Sequence, residues 1–147
     1  MLEIYNSTKR QIPEALLEKA VLLVLECEGF SAESVVGVYC GNKMIQRINR
    51  EFLQHDYPTD TITFRYNKRS EVDGEYYISL DVVKENAVKF QVDFQEELLR
   101  VTLHSALHLI GYDDQLPEDR AAMQAKESFY LTQMALLPTD GSQQKGD

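Results

Sequence analysis

Four short stretches rich in β-branched and aromatic residues are interleaved with longer stretches whose apolar residues recur every three or four positions. The strand-like stretches are residues 2–5, 34–40, 59–66 and 76–80, and the helix-like ones are residues 13–29, 42–53, 82–90, 94–110 and 117–136. Strands among helices in a chain of 147 residues predict one domain around a single core. We therefore expect an α+β fold, with a small mixed four-stranded sheet packed with about five helices.

Composition also indicates where the domain ends and where one of its turns lies. Residues 138–147 are polar, so we expect a disordered tail after a single domain spanning residues 1–137. The dipeptide Asp73-Gly74 is typical of a tight turn, and we expect it to connect the third strand to the fourth.

The chain is acidic overall but has one basic stretch. Its net charge is -9, which argues against general nucleic-acid binding. Residues 41–70, however, carry six basic and three acidic side chains, a net charge of +3. This stretch is either an ordinary solvated surface or a basic patch that faces a phosphate chain. The longest apolar run, residues 21–25, is too short to span a bilayer. The start of the sequence shows no export signal. We therefore expect a cytoplasmic protein without membrane contact.

The stretch HSALHLIGYDD, residues 104–114, carries most of the chemical information. His104 and His108 are one helical turn apart and project from the same face. Helical spacing places them opposite the apolar stripe, with Glu97 and Arg100 on the same polar side, which argues against a histidine pair packed in the core. They are either metal ligands or two exposed histidines without a function.

The residues that follow favour a metal. Gly111 permits a left-handed turn, after which Asp114 arrives as the chain returns toward the histidines. Two imidazoles and a carboxylate bind several divalent metals, and Asp113 is the alternative ligand or an outer partner of an imidazole. Ser105 stands where H-E-x-x-H metallopeptidases carry their glutamate base, so that base is missing.

These residues resemble the YbeY family of bacterial metal-dependent endoribonucleases, whose pattern is H-G-x-L-H-L-x-G-Y-D-H. Upstream, Asn49 and the segment TDTITF are similar to the family's asparagine helix and T-D-V-L-S-F strand, and residues 74–78 are similar to its G-D-I-x-I segment. The resemblance covers roughly residues 42–130.

The resemblance implies one zinc ion per chain, or another divalent metal, held by His104, His108 and Asp114. It implies cleavage of single-stranded RNA, maturation of ribosomal RNA at the 3′ end of the small-subunit species, and ribosome quality control. Ribosomal RNA and small-subunit ribosomal proteins are the partners that it implies.

The chain departs from the family pattern at three positions. Asp114 replaces the family's third histidine, Ser105 replaces a glycine, and Leu53 stands where the family has a catalytic arginine. His55 is our candidate for a catalytic helper in place of that arginine, with Arg50 as the alternative.

The basic stretch supplies the candidate RNA contacts. We expect Arg47, Arg50 and Arg65 to bind RNA, with Thr61 and Thr63 beside Arg65 on the polar face of a strand that lines the cleft. Tyr57 or Tyr66 is expected to stack on unpaired bases.

Two other functions fit part of this pattern. One is a metallopeptidase or another zinc hydrolase, and the other is a non-enzymatic ribosome-assembly factor with a structural metal. A coordination position open to water would indicate an enzyme, whereas a fourth protein ligand would indicate a structural site.

Overall fold

The computed structural model describes residues 1–53 and 59–137. The elements are β1 (Leu2–Asn6), α1 (Glu14–Cys27), β2 (Ser31–Cys40), α2 (Asn42–Leu53), β3 (Thr61–Arg65), β4 (Glu71–Ser79), α3 (Leu80–Phe90), α4 (Phe94–Leu109) and α5 (Pro117–Leu136). This confirms the predicted α+β fold, with five helices and a four-stranded sheet in the described ranges. The predicted disordered tail, residues 138–147, lies outside the described residues.

The strands are arranged in the order β1-β2-β4-β3. β1 pairs with β2 and β2 with β4 in parallel, whereas β3 pairs with β4 in the antiparallel sense, so the sheet is mixed. The parallel pairs require long crossovers, which α1 and the segment containing α2 supply. β3 is therefore an edge strand of the sheet that the described residues form.

Helices cover both faces of this sheet. On one face, α1 and α4 bury the large apolar core, which includes Leu17, Tyr76 and Leu103. On the other face, α2 contributes Ile45 and Ile48 to a smaller cluster with Cys40 and Ile62. Because side chains alternate along a strand, Ile62 of β3 faces α2 while its neighbour Thr61 contacts α4.

The turn predicted at Asp73-Gly74 is wrong, because both residues lie inside β4. Gly74 pairs with Val35 of β2 and with Arg65 of β3. A Cβ atom at Gly74 would lie 2.6 Å from the carbonyl oxygen of Phe64 and 2.9 Å from a methyl group of Leu109. The glycine therefore allows a close approach of backbone and helix, and the chain reverses in residues 66–70 instead.

Helix α4 is the central helix of the domain. It begins at Phe94 and is capped by Asp93, whose side chain accepts the N–H of Gln95 at 3.0 Å. It contacts α1, α3, α5, β3 and β4. The polar side of α4 packs against α5, since Arg100 and His104 contact Glu127 and Glu97 is only 2% exposed. Within the described ranges, the helices are too short or too polar to cross a bilayer.

Candidate metal centre

Helix α4 ends in a turn that folds the following residues back onto it. The N–H of Gly111 donates to the carbonyl of His108, and that of Tyr112 to the carbonyl of Leu107, each at 3.0 Å. These are the two hydrogen bonds of a Schellman motif. Gly111 has a φ of +112°, which residues with a side chain rarely adopt. The turn therefore brings Asp114 back to the histidines.

Both histidine rings are held through Nδ1, which leaves Nε2 to face the site. Nδ1 of His108 lies 3.0 Å from the carbonyl oxygen of Tyr112, and because a carbonyl only accepts, Nδ1 carries the proton. Nδ1 of His104 lies 2.5 Å from Oε2 of Glu127 on α5, and the carboxylate favours the same tautomer. Such outer hydrogen bonds fix the tautomer and orientation of histidines that bind metals.

The three candidate ligand atoms converge. Oδ2 of Asp114 lies 3.5 Å from Nε2 of His104 and 3.3 Å from Nε2 of His108. Two atoms bound tetrahedrally at about 2.0–2.1 Å from one metal are about 3.3 Å apart, so both separations suit a shared divalent metal. All three ligand atoms lie within 4.8 Å of one another. Asp113 instead accepts the N–H groups of Asp114 and Gln115 through Oδ1. The geometry therefore favours Asp114 over Asp113 as the third ligand.

The centre is open to solvent on one side. The side chains of His104 and His108 are 17% and 22% exposed, and that of Asp114 is 38% exposed. In residues 1–53 and 59–137, the group has three members, without a fourth histidine, cysteine or carboxylate. Three protein ligands with solvent access are typical of a catalytic metal site, whereas structural zinc sites have four protein ligands.

A chain of charges, in which the two carboxylates are buried and the arginine is partly buried, lies behind His104. Arg100 donates to Oε1 of Glu127 at 3.1 Å and binds both oxygens of Glu97 at 3.0 and 2.6 Å. Burial of the His104 ring opposes its protonation, but the carboxylate of Glu127, with contributions from Asp60 and Asp114, outweighs this and raises the pKa of His104. The network orients the imidazole and makes it more basic.

A second network fixes the turn that carries Asp114. The carboxylate of Glu28, at the end of α1, accepts hydrogen bonds from the hydroxyls of Tyr112 and Tyr130 and from the ammonium of Lys126. Tyr112 thus contacts the body of the protein through its hydroxyl and His108 through its carbonyl. The position of the ligand turn depends on Glu28 as well as on α4.

The sequence profile of the family described as Endoribonuclease YbeY matches residues 3–135. The chain belongs to this family. The Endoribonuclease YbeY of Chlorobium limicola is 65% identical over 130 residues, which cover 88% of this chain and 90% of that protein. The Endoribonuclease YbeY of Chlorobium chlorochromatii is 56% identical over 141 residues, or 93% and 90% of the two chains. The solution structure of TM1509 from Thermotoga maritima is similar, with a TM-score of 0.65 and 29% identity, covering 91% of this chain and 89% of that one.

Ser105, where the YbeY pattern has glycine, points away from the metal ligands. Its hydroxyl donates to the carbonyl of Val101 at 2.8 Å and lies 2.6 Å from the hydroxyl of Thr61. Because Ser105 is fully buried, this position presents no group to the open side of the centre. The site therefore lacks the base that an H-E-x-x-H peptidase would carry there.

The candidate RNA-binding residues of this YbeY family member lie in two different settings. Arg47 and Arg50 are exposed on α2. Arg65, by contrast, donates to the carbonyls of Leu109 and Arg69 and to the side chain of Asn67. The strand face that carries Thr61 and Arg65 packs toward α4, where Thr61 contacts Ser105 and Arg65 contacts the carbonyl of Leu109. The roles of the three arginines in RNA binding stay predictions.

Two further sequence predictions concern the segment before β3. His55, the candidate catalytic helper, and Tyr57, a candidate for base stacking, lie outside the described residues. Tyr66, the other stacking candidate, is 58% exposed, and Leu53, at the position of the family arginine, is 43% exposed.

Sequence reasoning missed Glu127, which contacts a candidate metal ligand directly. A signal was present, because Glu127 lies on the helical stripe of α5 that also contains Met123, Tyr130 and Met134. All four residues are buried, and Glu127 is only 5% exposed. An acidic residue on an otherwise apolar helix stripe indicates a buried partner, since carboxylates are almost never fully buried unless they are paired.

Proposed function

We propose that this protein is a zinc-dependent endoribonuclease that cleaves single-stranded RNA. The observation that carries the proposal is the convergence of His104, His108 and Asp114 on one point that is open to solvent. Membership of a family described as endoribonucleases supplies the substrate class. The missing glutamate at Ser105, and a ligand group of three members within residues 1–53 and 59–137, make a peptidase or a purely structural metal site poorer explanations.

The chain's own residues prepare the site for phosphodiester hydrolysis. When bound, a divalent ion supplies a Lewis acid for a phosphoryl oxygen and lowers the pKa of a water molecule toward neutrality. His104 and His108 present Nε2 because Glu127 and the carbonyl of Tyr112 hold their Nδ1 protons. Asp114 adds a negative charge, which makes the site more suitable for harder metals such as manganese than three imidazoles would be.

The proposed RNA path crosses the edge of the sheet at β3. α2 packs on one face of this strand and α4 on the other, so the two helices flank the same edge. Arg47 lines an open groove with Glu51, Phe52 and Tyr77, and Phe52 is 66% exposed. Cations beside exposed aromatic rings suit single strands, because unpaired bases stack on the rings while the cations contact phosphates. His55 is proposed as an active-site helper that donates to a phosphoryl oxygen or relays a proton.

In the cell, we propose maturation of the 3′ end of small-subunit ribosomal RNA, together with ribosome quality control. The proposed partners are ribosomal RNA and small-subunit ribosomal proteins, in the cytoplasm. The support is the resemblance of residues 42–130 to the family motifs. The proposed unit is a single hydrolase domain, residues 1–137, followed by a disordered tail.

The direct test combines metal analysis with cleavage of labelled RNA. We expect the purified protein to cleave a single-stranded RNA that ends at the small-subunit 3′ terminus, and to cleave a duplex of the same sequence poorly. A chelator should abolish cleavage, and zinc should restore it. His108→Ala should contain no metal and remain inactive. Cleavage that survives chelation with no bound metal would contradict the proposal.

The RNA surface has its own test. Arg47→Glu with Arg50→Glu should weaken binding of single-stranded RNA and lower the salt dependence of log K by about 1.4, because two phosphate contacts are lost. The matched control is Lys84→Glu with Lys89→Glu on α3, which changes the net charge equally. Equal effects of the two pairs would mean that only overall charge matters.

A further inference from the structure

A cavity of about 150 Å³ lies directly beside the candidate metal ligands, between α4 and α5. Its polar lining is Arg100, His104, Asp114, Arg120, Gln124 and Glu127. The sequence motifs include neither Arg120 nor Gln124, which lie in the first half of α5.

The cavity offers hydrogen-bond donors. Arg120 is exposed and forms no ion pair or side-chain hydrogen bond within residues 1–53 and 59–137. Arg100 uses three of its five N–H groups on Glu97 and Glu127, which leaves two, and its side chain is 30% exposed. Both oxygens of Glu127 already accept hydrogen bonds, from Arg100 and His104. An incoming anion would therefore meet unsatisfied guanidinium groups.

The charge of this cavity depends on the metal. Without a metal, Arg100 and Arg120 balance the carboxylates of Asp114 and Glu127 in the lining. A divalent cation bound to His104, His108 and Asp114 would give the cavity a net positive charge. That net charge remains positive when the carboxylate of Glu97, which pairs with Arg100, is included. Arginine is the side chain best suited to phosphate, because its planar fork binds two oxygens at once.

We infer that this cavity takes a backbone phosphate of the RNA strand, adjacent to the phosphate that is cleaved, and that Arg120 is its main contact. The inference rests on the proposed ribonuclease function. It makes Arg120 a substrate-positioning residue on α5, separate from the RNA contacts proposed on α2.

The test is Arg120→Gln in the metal-loaded full chain, with Arg10→Gln as the matched control. Arg10 stacks over Phe94 at the start of α4, about 21 Å along the helix from His108. For Arg120→Gln we expect a KM for RNA about tenfold higher, a kcat within about twofold, and unchanged metal content, because one charge-assisted contact is lost. Arg10→Gln should leave all three quantities unchanged.

Two further arms identify the bound group. One RNA carries a neutral methylphosphonate in place of a single phosphate next to the cleavage position. Its KM should be higher than that of unmodified RNA for the wild type but not for Arg120→Gln, since the methylphosphonate and the substitution remove the same contact. Inorganic phosphate, measured by calorimetry, should bind the zinc-loaded wild type more tightly than the zinc-loaded variant.

The outcomes separate this inference from the proposed function. An unchanged KM in Arg120→Gln, or a methylphosphonate effect as large in the variant as in the wild type, overturns the inference while leaving the ribonuclease intact. A wild type that cleaves no RNA overturns the proposed function. In that case the phosphate titration alone tests whether the cavity binds phosphate. Equal phosphate affinities of the wild type and Arg120→Gln would overturn the role of Arg120.

Discussion

Glu127→Gln should weaken metal binding without removing any metal ligand. Glu127 is 5% exposed, and its Oε2 lies 2.5 Å from Nδ1 of His104. A buried charge-assisted hydrogen bond contributes about 1.5–3 kcal/mol, and loss of an outer partner typically lowers metal affinity about 10–100-fold. We expect zinc affinity to fall about 30-fold at neutral pH, which corresponds to about 2 kcal/mol. Glutamine can still accept from Arg100, so the fold should survive.

The loss should depend on pH in a definite direction. Glu127 raises the pKa of His104 in the metal-free protein, so a proton competes with the metal at acidic pH. Glu127→Gln lowers the pKa of His104, so it weakens the binding of the competing proton as well as the binding of the metal. The difference in affinity should therefore be largest above the raised pKa of wild-type His104 and should shrink as the pH falls through it.

The assay is competition for zinc with a coloured chelator across this pH range. The control is Glu118→Gln, in the exposed first turn of the same helix, which should bind zinc like the wild type. An affinity of Glu127→Gln within twofold of the wild type at every pH would refute the argument that this carboxylate supports the site.

Other variants test the third metal ligand, the buried serine of α4 and the carboxylate that fixes the ligand turn. Asp114→Ala should abolish tight metal binding in a titration, whereas Asp113→Ala should have the smaller effect; the reverse order would identify Asp113 as the ligand. Asp114→His should keep zinc, lower the pH at which cleavage rises and narrow the accepted metals, because a neutral ligand leaves the metal a stronger Lewis acid. Ser105→Gly should lower the free energy of unfolding by about 1–2 kcal/mol in denaturant titrations, with metal content unchanged. The substitution removes two hydrogen bonds, and glycine loses more backbone conformational entropy than serine when the helix forms. Burial opposes ionisation of Glu28, but hydrogen bonds from Tyr130, Lys126 and Tyr112 outweigh burial and lower the pKa of Glu28. The ionised carboxylate therefore stabilises the fold at pH values above the pKa of Glu28 in the unfolded chain, and this stabilisation is lost as the pH falls through its lower pKa in the folded protein. Glu28→Gln should therefore cost about 2 kcal/mol at neutral pH, and the cost should shrink as the pH falls through the lowered pKa of folded Glu28.

The helix that carries the histidines was predictable because its signals are local. Asp93 as a cap, the one-turn spacing of His104 and His108, and Gly111 at the end each have one simple structural meaning. The return of Asp114 also followed, since a glycine in the left-handed region reverses the chain.

The errors arose where a residue serves a partner far away in the sequence. Asp73-Gly74 has the composition of a turn, but Gly74 is needed because β3 and Leu109 approach its Cα closely. The helical pattern placed Glu97 and Arg100 on the polar side of α4 but gave them no partner outside this helix, whereas Arg100 pairs with Glu97 and with Glu127 on α5. The i,i+3 spacing within α4 accounts for the pair of Glu97 with Arg100, but it cannot reveal the partner on α5.

We propose that one metal ion, held by His104, His108 and Asp114, makes this protein a ribonuclease. The most direct measurement is titration of the metal-free protein with zinc, recording bound metal and the initial rate of single-stranded RNA cleavage in the same samples. We expect a cleavage rate that rises in proportion to zinc occupancy and saturates at about one zinc per chain, with no rise in His108→Ala. Full cleavage before any zinc is bound, or saturated zinc binding without cleavage, would contradict it.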